Sequence, residues 1–289
     1  MRKKKEKPVR EAFTEADLPQ TRPQVFLTVY KTRAFFIFKV SLLLLVFCLP
    51  LFLWDTFMRL FIDNMANSLL ADGSNSAELI QDAFMWTMLK NGVSILLFGL
   101  AGIGFGGTIH AFQGLVWNQL VVVSDFFDGM KKNIGKYILW GILEGLSFFL
   151  FEFCIYGTPL TSLDTIWRIL LYGLGSVQLA IISVFISYLY LQNEYYFVSG
   201  LNLLVNGVKF TILSFFPMVG FILIIMLPYF LVYIRSFVIN FVSMFLFLFL
   251  VSSGLIPLIL HADYQFDKRI NKENYPQIYD RGVYREEES

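Results

Sequence analysis

The chain has 289 residues, of which 56% are hydrophobic and only 16% are charged, and its mean hydropathy is +0.62. A soluble domain carries about 25% charged residues, and a chain this apolar lacks the polar side chains to cover a surface in water. Composition therefore excludes an ordinary soluble enzyme, a disordered chain and a disulfide-rich secreted scaffold. The formal net charge of +1 gives no reason to expect nucleic acid as a partner. The expected surrounding is the lipid bilayer.

Six apolar segments are long enough to cross a bilayer as helices, which takes about 20 residues each. They are continuous apolar runs and not short segments of alternating hydrophobicity, so they predict helices instead of a transmembrane barrel. The predicted spans cover residues 34–54, 92–112, 137–157, 168–191, 210–233 and 236–260. We therefore predict an all-α fold, a polytopic membrane helix bundle whose transmembrane domain covers residues 34–262.

Polar segments flank this domain and separate its spans. Residues 1–33 are expected to form a basic, largely disordered N-terminus, and residues 263–289 a C-terminal tail. Residues 55–91 are expected to form an outer loop with short helices on each side of a turn. Eighteen Lys and Arg residues fall on the side of the termini and four on the other side. Because cytoplasmic loops carry the excess of Lys and Arg, both termini are predicted to be cytoplasmic.

Two of the cytoplasmic segments do not read as plain loops. Gln113–Lys136 and Gln192–Lys209 mix large apolar residues with polar ones, and each leads directly into a span. This pattern predicts two amphipathic helices lying in the membrane interface. An Asn-x-x-Lys pattern recurs at Asn133 and Asn206. Whether the chain contains a true repeat of a unit made of a span, an interfacial helix and a further span stays open.

Lys39, Glu144 and Glu152 are charged residues that lie away from the ends of predicted spans, where such residues are the first functional candidates. Lys39 and Glu144 lie at similar depths, so a pair between them is geometrically reasonable, and Glu152 lies where Arg168 or Arg235 could reach it. One interpretation is a polar path for a proton, an ion or a substrate head group. The preferred interpretation is that Lys39 snorkels to the interface and that the two glutamates pair helices.

Amides and small residues are expected to bring the spans together. Gln178 and Asn240 are predicted to hydrogen-bond between helices, and two small-x-x-x-small patterns should let helix backbones approach closely. These patterns are Gly102-x-x-x-Gly106 and Gly141-x-x-x-Gly145. The sequence leaves open whether the helix that packs against each pattern belongs to this chain or to a second subunit.

Residues suited to catalysis or metal binding are few. The chain has two histidines and two cysteines, too few to predict a metal cluster, and Ser252 lacks a base at comparable depth. We therefore predict no catalytic residues, no metal and no cofactor, and an intramembrane enzyme is the least favoured function.

Short motifs resemble the YesL-like family of uncharacterised bacterial integral membrane proteins over roughly residues 30–260. They are Phe47-Cys48-Leu49-Pro50, Asp125-Phe126-Phe127 and the following Lys131-Lys132-Asn133. In the tail, Phe266-Asp267-Lys268 and Tyr275-Pro276 resemble the tails of related Gram-positive membrane proteins. The basic N-terminus and the first outer loop of this chain are longer than in that family. The resemblance implies a multi-pass protein of the bacterial plasma membrane, associated with carbohydrate uptake and without known catalytic residues.

These features favour a non-enzymatic membrane protein that acts as an accessory or regulatory component of a carbohydrate transport system. The alternative is a permease-type subunit driven by a separate ATPase. Asp128-Gly129-Met130 is similar to the Asp-Gly-Ala of the coupling loop in importer permeases, although the preceding Glu-Ala-Ala is missing. The expected partners are the lipid bilayer and either other transport subunits or further copies of the chain as a homo-oligomer.

Overall fold

The computed structural model describes residues 18–71, 76–158, 163–196, 200–231, 234 and 236–284. Seven α-helices of more than one turn and no strand occur in these residues. They are α1 (Arg22–Ala71), α2 (Ser76–Val116), α3 (Val123–Lys132), α4 (Ile134–Gly157), α5 (Thr165–Tyr195), α6 (Gly200–Leu231) and α7 (Phe237–Phe266). All except α3 are long and apolar enough to cross a membrane. The predicted all-α bundle with six spanning helices is therefore confirmed.

The outer surface of the bundle is apolar on every long helix. Side chains such as Leu96, Ile212 and Phe216 are exposed, the last to 85%. A soluble monomer rarely exposes apolar patches larger than a few hundred square ångströms, so this surface matches a lipid environment. The protein is an integral membrane protein of the multi-pass type.

Helices α1 and α2 extend well beyond the predicted spans. They contain 50 and 41 residues, and at about 1.5 Å per residue each is longer than the roughly 30 Å hydrocarbon core of a bilayer. The predicted helices on each side of the turn are present, but they are not short separate helices, because α1 continues to Ala71 and α2 begins at Ser76. Side-chain contacts hold the two extensions together, since the Phe61 and Trp86 rings lie 5.0 Å apart.

Two of the long helices contain a residue with non-helical backbone angles. One is Arg33 in α1, and the other is Ser214 in α6, with φ −133° and ψ 21°. Pro217 follows Ser214 in the same helix, and a proline both removes an intrahelical hydrogen bond and clashes with the preceding turn. The bend of α6 therefore has an identifiable cause in the sequence.

The two predicted amphipathic segments have different outcomes. The first contains a separate short helix, α3. The second is not a separate interfacial helix: its first residues belong to α5, which continues to Tyr195, and its helical remainder is the first part of α6, before the kink at Ser214. The residues at the end of α5, among them Tyr188 and Leu191, are fully buried in the bundle, so packing takes the place of the membrane interface. Asn133 lies between α3 and α4 whereas Asn206 lies inside α6, so the two Asn-x-x-Lys patterns are not structurally equivalent.

Both ends of the described chain meet at one end of the bundle, which we call the terminal face. The Tyr284 backbone N–H donates to the Pro19 carbonyl at 2.8 Å, and Arg22 forms an ion pair with Asp263 at 3.2 Å. The prediction of disorder up to residue 33 is wrong from Arg22 onward, where α1 begins, and residues 1–17 lie outside the described residues. Two termini on one face require an even number of crossings. The cytoplasmic location of this face stays a prediction.

The C-terminal segment is folded and not a loose tail. After α7, Asp267–Asn271 forms a π-helical turn and Pro276–Ile278 a turn of 3₁₀-helix. Gly282 has a φ of +85°, and a Cβ there would collide with the carbonyl oxygen of Val116 at the end of α2. A glycine at this position therefore lets the segment pack closely against the terminal face.

Close backbone contact between α2 and α4 organises the centre of the bundle. The glycines of the two predicted patterns, Gly102, Gly106, Gly141 and Gly145, all lie in this contact. A Cβ on Gly102 would lie 2.5 Å from the Tyr137 carbonyl oxygen, and one on Gly141 would collide with the Phe98 carbonyl oxygen. The partners of these glycines are therefore in the same chain.

Candidate functional site

A cavity of about 100 Å³ lies in the centre of the bundle, and all six long helices contribute to its wall. We call it the central cavity. Most of its lining is aliphatic or aromatic. Representative residues, in order from α1 to α7, are Phe52, Gly102, Glu144, Ser183, Tyr229 and Leu255. Among the described residues of the lining, Glu144 alone carries a carboxyl group.

Glu144 presents one satisfied and one unsatisfied oxygen. Its Oε1 accepts a hydrogen bond from Ser183 Oγ at 2.5 Å, whereas Oε2 is buried and has no partner among the residues that the structure describes. The neighbouring hydroxyls are engaged elsewhere: Ser187 donates to the Ser183 carbonyl at 2.8 Å, and Tyr190 donates to the Gly102 carbonyl at 3.1 Å. Glu144, which is 8% exposed, therefore offers this cavity a buried acceptor with unused capacity.

The pair between Lys39 and Glu144 that their similar depth allowed does not form. Lys39 lies on the exposed side of α1, where its Nζ sits 4.4 Å from the centre of the Phe35 ring. The neighbouring Ile37 and Val40 occupy the face of α1 that packs into the core. Helix rotation therefore separates Lys39 from Glu144 even though both lie inside spans.

Glu152, two turns along α4 from Glu144, belongs to a buried ring of four charges that we call the ion-pair ring. Lys90 Nζ lies 2.9 Å from Asp55 Oδ1 and 2.8 Å from Glu152 Oε2. Arg59 completes the ring, with Nε 2.7 Å from Asp55 Oδ2 and one terminal nitrogen 2.7 Å from Glu152 Oε1. Each carboxylate oxygen thus meets at least one cation, and the formal charges of the ring cancel.

Lys90 and Arg59 were not among the partners that the sequence suggested for Glu152, which were Arg168 and Arg235. The Arg168 Nε donates to the Leu163 carbonyl at 2.9 Å, and Arg235 lies outside the described residues. The sequence analysis did not identify the other three members of the ring, because it assigned them to an outer loop. These members are Asp55, Arg59 and Lys90. The available signal was the placement of three charges directly beside the ends of two spans.

Tyr229 of α6 connects the central cavity with the ion-pair ring. It lines the cavity and interacts electrostatically with Asp55, Glu152 and Arg59. Its ring centre lies 5.9 Å from that of Phe52. The central cavity and the ion-pair ring are therefore neighbours inside the bundle, and the ring lies nearer the end opposite the terminal face.

The two amides singled out from the sequence have different environments. Gln178 Nε2 donates to Ser147 Oγ at 2.8 Å, which joins α5 to α4. Asn240 is buried near the start of α7, where its backbone carbonyl oxygen accepts a hydrogen bond from Ser243 Oγ at 2.6 Å. Its Oδ1 has no partner within the described part of the chain. Neither residue lines the central cavity.

The motif Asp125-Phe126-Phe127 with Lys131-Lys132-Asn133, in the first predicted interfacial helix, fixes α3 to the terminal face. The Val122 N–H donates to Asp125 Oδ2 at 2.8 Å and so satisfies a backbone group at the start of the helix. Phe126 is fully buried and its ring lies 6.1 Å from that of Phe47 in α1. Phe127 and Lys131 are exposed on α3. The motif thus contains residues that anchor the helix and residues that remain available to partners.

A buried carboxylate, Glu194 at the end of α5, joins four helices on this face. Its oxygens contact Tyr137 Oη of α4, His110 Nδ1 of α2 at 2.8 Å and Lys132 Nζ of α3 at 3.3 Å. Asn133 forms the junction between α3 and α4. Sequence reasoning missed Glu194 because it placed this residue in a separate interfacial helix.

The C-terminal segment is attached by a second polar cluster. Arg22 contacts Asp263 and Asp267, and Asn271 Nδ2 donates to Asp267 Oδ1 at 2.6 Å. Tyr196 lies just beyond α5 and donates its hydroxyl to Asn271 Oδ1 at 2.6 Å. Burial, together with the nearby carboxylates, raises the pKa of Tyr196, so its hydroxyl stays protonated as a donor.

No group of three or more His, Cys, Asp or Glu side chains in the described residues is arranged to hold a metal ion. Cys48, in the wall of the central cavity, and Cys154 are both free thiols. The most distinctive arrangement is therefore the apolar central cavity with its single carboxyl group, beside a neutral ion-pair ring. Comparisons of the chain with protein-family models, with curated proteins and with solved structures found no match.

Proposed function

We propose that this chain is a non-enzymatic component of a membrane transport system and that its helix bundle binds a small solute in the central cavity. The observation that carries this proposal is the unpartnered Oε2 of Glu144. A buried polar group without a partner costs free energy, and an ionisable residue inside a membrane bundle usually marks an ion or substrate site. A solute that supplies the missing donor accounts for the geometry.

Within such a system we favour the accessory or regulatory role over the permease role. Gly129, the glycine of the segment that is similar to a permease coupling loop, is buried against α2. A Cβ there would lie 2.7 Å from His110 Cγ. The segment is thus part of the bundle and poorly placed to enter an ATPase. The resemblance to YesL-like proteins supports carbohydrate uptake as the process and the bacterial plasma membrane as the location.

The test compares solute uptake in cells that lack the gene and in cells complemented with the native chain or a variant. We expect deletion to reduce the uptake of one solute, Glu144→Gln to fail to restore it at an unchanged protein level, and Lys39→Gln to restore it. Lys39 is the matched control because it is also a charged residue inside a span but lies outside the cavity. Full restoration by Glu144→Gln would contradict solute binding at this residue.

Purification then separates the two roles. An accessory or regulatory component should be recovered with a complete permease, and uptake should be lowered but not abolished by deletion. A permease-type subunit should be recovered with a nucleotide-binding ATPase, and deletion should abolish uptake.

A further inference from the structure

We infer that the ligand of the central cavity is a small lipophilic ammonium ion that enters sideways from the bilayer between α5 and α6. This inference rests on the proposed binding of a solute in the cavity, and it adds the chemical class and the route of entry. It draws on the size of the cavity, the chemistry of its wall and the groove beside it.

The size of the cavity limits the ligand to a few atoms. Its volume is about 100 Å³, whereas an apolar protein cavity of about 150 Å³ binds benzene, which has six carbon atoms. A ligand of about four or five non-hydrogen atoms therefore fits. A sugar is too large for this cavity, so its ligand is distinct from the carbohydrate whose uptake the proposed transport system serves.

The wall of the cavity selects a positive charge on an apolar body. Glu144 Oε2 is the buried acceptor without a partner, and Phe52, Phe98 and Tyr229 are among the aromatic residues of the lining. A cation near aromatic faces is attracted by their quadrupoles, and a positive charge also offsets the cost of burying the carboxylate. The ammonium group of an alkylammonium ion can donate to the carboxylate, and its alkyl chain can pack against the apolar wall around it.

A metal cation is a poorer match for the same wall. A protein site for Ca²⁺ supplies six to eight oxygen ligands, and Mg²⁺ requires near-ideal octahedral oxygen geometry. Here one carboxyl group is accompanied by a few hydroxyls, and those of Ser183 and Tyr190 already donate to protein acceptors. An ammonium group needs only acceptors for its N–H bonds, and its alkyl chain takes the apolar remainder of the volume.

A groove beside the cavity gives such a ligand a route from the lipid. This groove, about 220 Å³ in volume, lies between α4, α5 and α6, and it shares Ser183, Ile222 and Met226 with the cavity wall. Leu223 lines the groove and is 56% exposed on the lipid-facing surface. Ser183 therefore lies at the boundary and at the same time hydrogen-bonds Glu144. An amphipathic amine that has partitioned into the bilayer reaches the carboxylate through this boundary.

The test measures equilibrium binding of n-butylammonium chloride to the full-length protein in lipid nanodiscs by isothermal titration calorimetry. The uncharged comparison is 1-butanol, which has the same number of non-hydrogen atoms, and the size comparison is tetrabutylammonium chloride. We expect saturable binding of n-butylammonium at one site and no saturable binding of the other two. Glu144→Gln should weaken this binding at least tenfold, whereas Lys39→Gln should leave it unchanged.

A second variant tests the location independently of the carboxylate. Ser187→Leu fills part of the cavity but retains Glu144, and we expect it to abolish binding while the melting temperature stays at or above that of the native protein. A third, Leu223→Trp, narrows the groove and should slow association measured by stopped flow without changing the chemistry of the cavity.

The inference is overturned if 1-butanol binds as n-butylammonium does, or if Glu144→Gln or the filled variant binds as the native protein does. Entry between α5 and α6 is overturned if Leu223→Trp associates at the native rate. Glu144-dependent uptake without n-butylammonium binding would overturn this inference and leave the proposed function standing. Saturable, Glu144-dependent binding combined with uptake that is indifferent to Glu144 would do the reverse.

Discussion

Lys90 of α2 forms a buried ion pair with Glu152 of α4, with 2.8 Å between Nζ and Oε2 and with side chains only 1% and 3% exposed. The pair closes the ion-pair ring at the end of the bundle opposite the terminal face. Farther along the same two helices, contact depends on glycines instead of charges. Helices α2 and α4 are therefore held by two chemically different contacts, which mutations can separate.

Substitution of Lys90 by Met should strongly destabilise the protein. It leaves the Asp55 and Glu152 carboxylates with Arg59 as their remaining cation in the ring, and breaking a buried ion pair on one side costs about 3–5 kcal/mol. We expect a lower melting temperature, measured from the intrinsic fluorescence of the protein in detergent.

The exposed Lys39→Met is the control for this substitution and should leave the melting temperature nearly unchanged. The double variant Lys90→Met with Glu152→Gln removes one charge of each sign and should recover part of the loss, which a double-mutant cycle measures. Equal melting temperatures for Lys90→Met and the native protein would show that the ring does not stabilise the fold.

Substitution of Gly141 by Ala should disturb the glycine contact between α2 and α4. The added Cβ would collide with the Phe98 carbonyl oxygen and lie 2.9 Å from Gly99 Cα, and overpacking of a tight core costs about 1–3 kcal/mol. Gly135→Ala, on the same helix, is the matched control because a Cβ there has no atom within 4 Å. Since alanine favours a helix over glycine by roughly 0.5–1 kcal/mol, the control should be neutral or stabilising. A control as destabilised as Gly141→Ala would argue against close contact as the cause.

Substitution of Arg22 by Gln should loosen the C-terminal segment from the terminal face. It replaces the charged contacts to Asp263 and Asp267, and a hydrogen bond to a charged group contributes about 1.5–3 kcal/mol. Hydrogen exchange at residues 267–284, measured by mass spectrometry, should therefore become about tenfold faster or more. Lys268→Gln, at an exposed neighbouring position, is the control and should leave the hydrogen-exchange rate of this segment unchanged. An unchanged exchange rate in Arg22→Gln would show that Arg22 does not anchor the segment.

The side of the membrane on which the terminal face lies is open to direct measurement. Single cysteines at Lys268, on the terminal face, and at Gln81, on the opposite extension, are introduced in a Cys48→Ser, Cys154→Ser background. Because the Lys and Arg excess predicts cytoplasmic termini, a membrane-impermeant maleimide should label Gln81→Cys in intact cells and Lys268→Cys only after permeabilisation. The opposite pattern would reverse the predicted orientation.

The chain shows where sequence reasoning about a membrane protein succeeds and where it stops. The glycine patterns of α2 and α4 were recognisable because small residues four positions apart share a helix face, although their partner was not. Glu194 was missed because its surroundings read as an amphipathic segment. Tyr188 and Leu191 are buried against other helices of the bundle and not in the membrane interface. This burial depends on distant segments, so the local sequence does not predict it.

By itself the sequence determined that six helices form in lipid, because a backbone in the hydrocarbon core must satisfy its hydrogen bonds within each span. It also identified Glu144 and Glu152 as the unusual charges of α4. Only the tertiary structure decided that Glu152 is neutralised by Lys90, 62 residues away, and by Arg59, while Glu144 faces a cavity with an unused oxygen. The rotation of each helix and the choice of its neighbours depend on packing between distant segments, and these relations decide which charge is structural and which is available to a ligand.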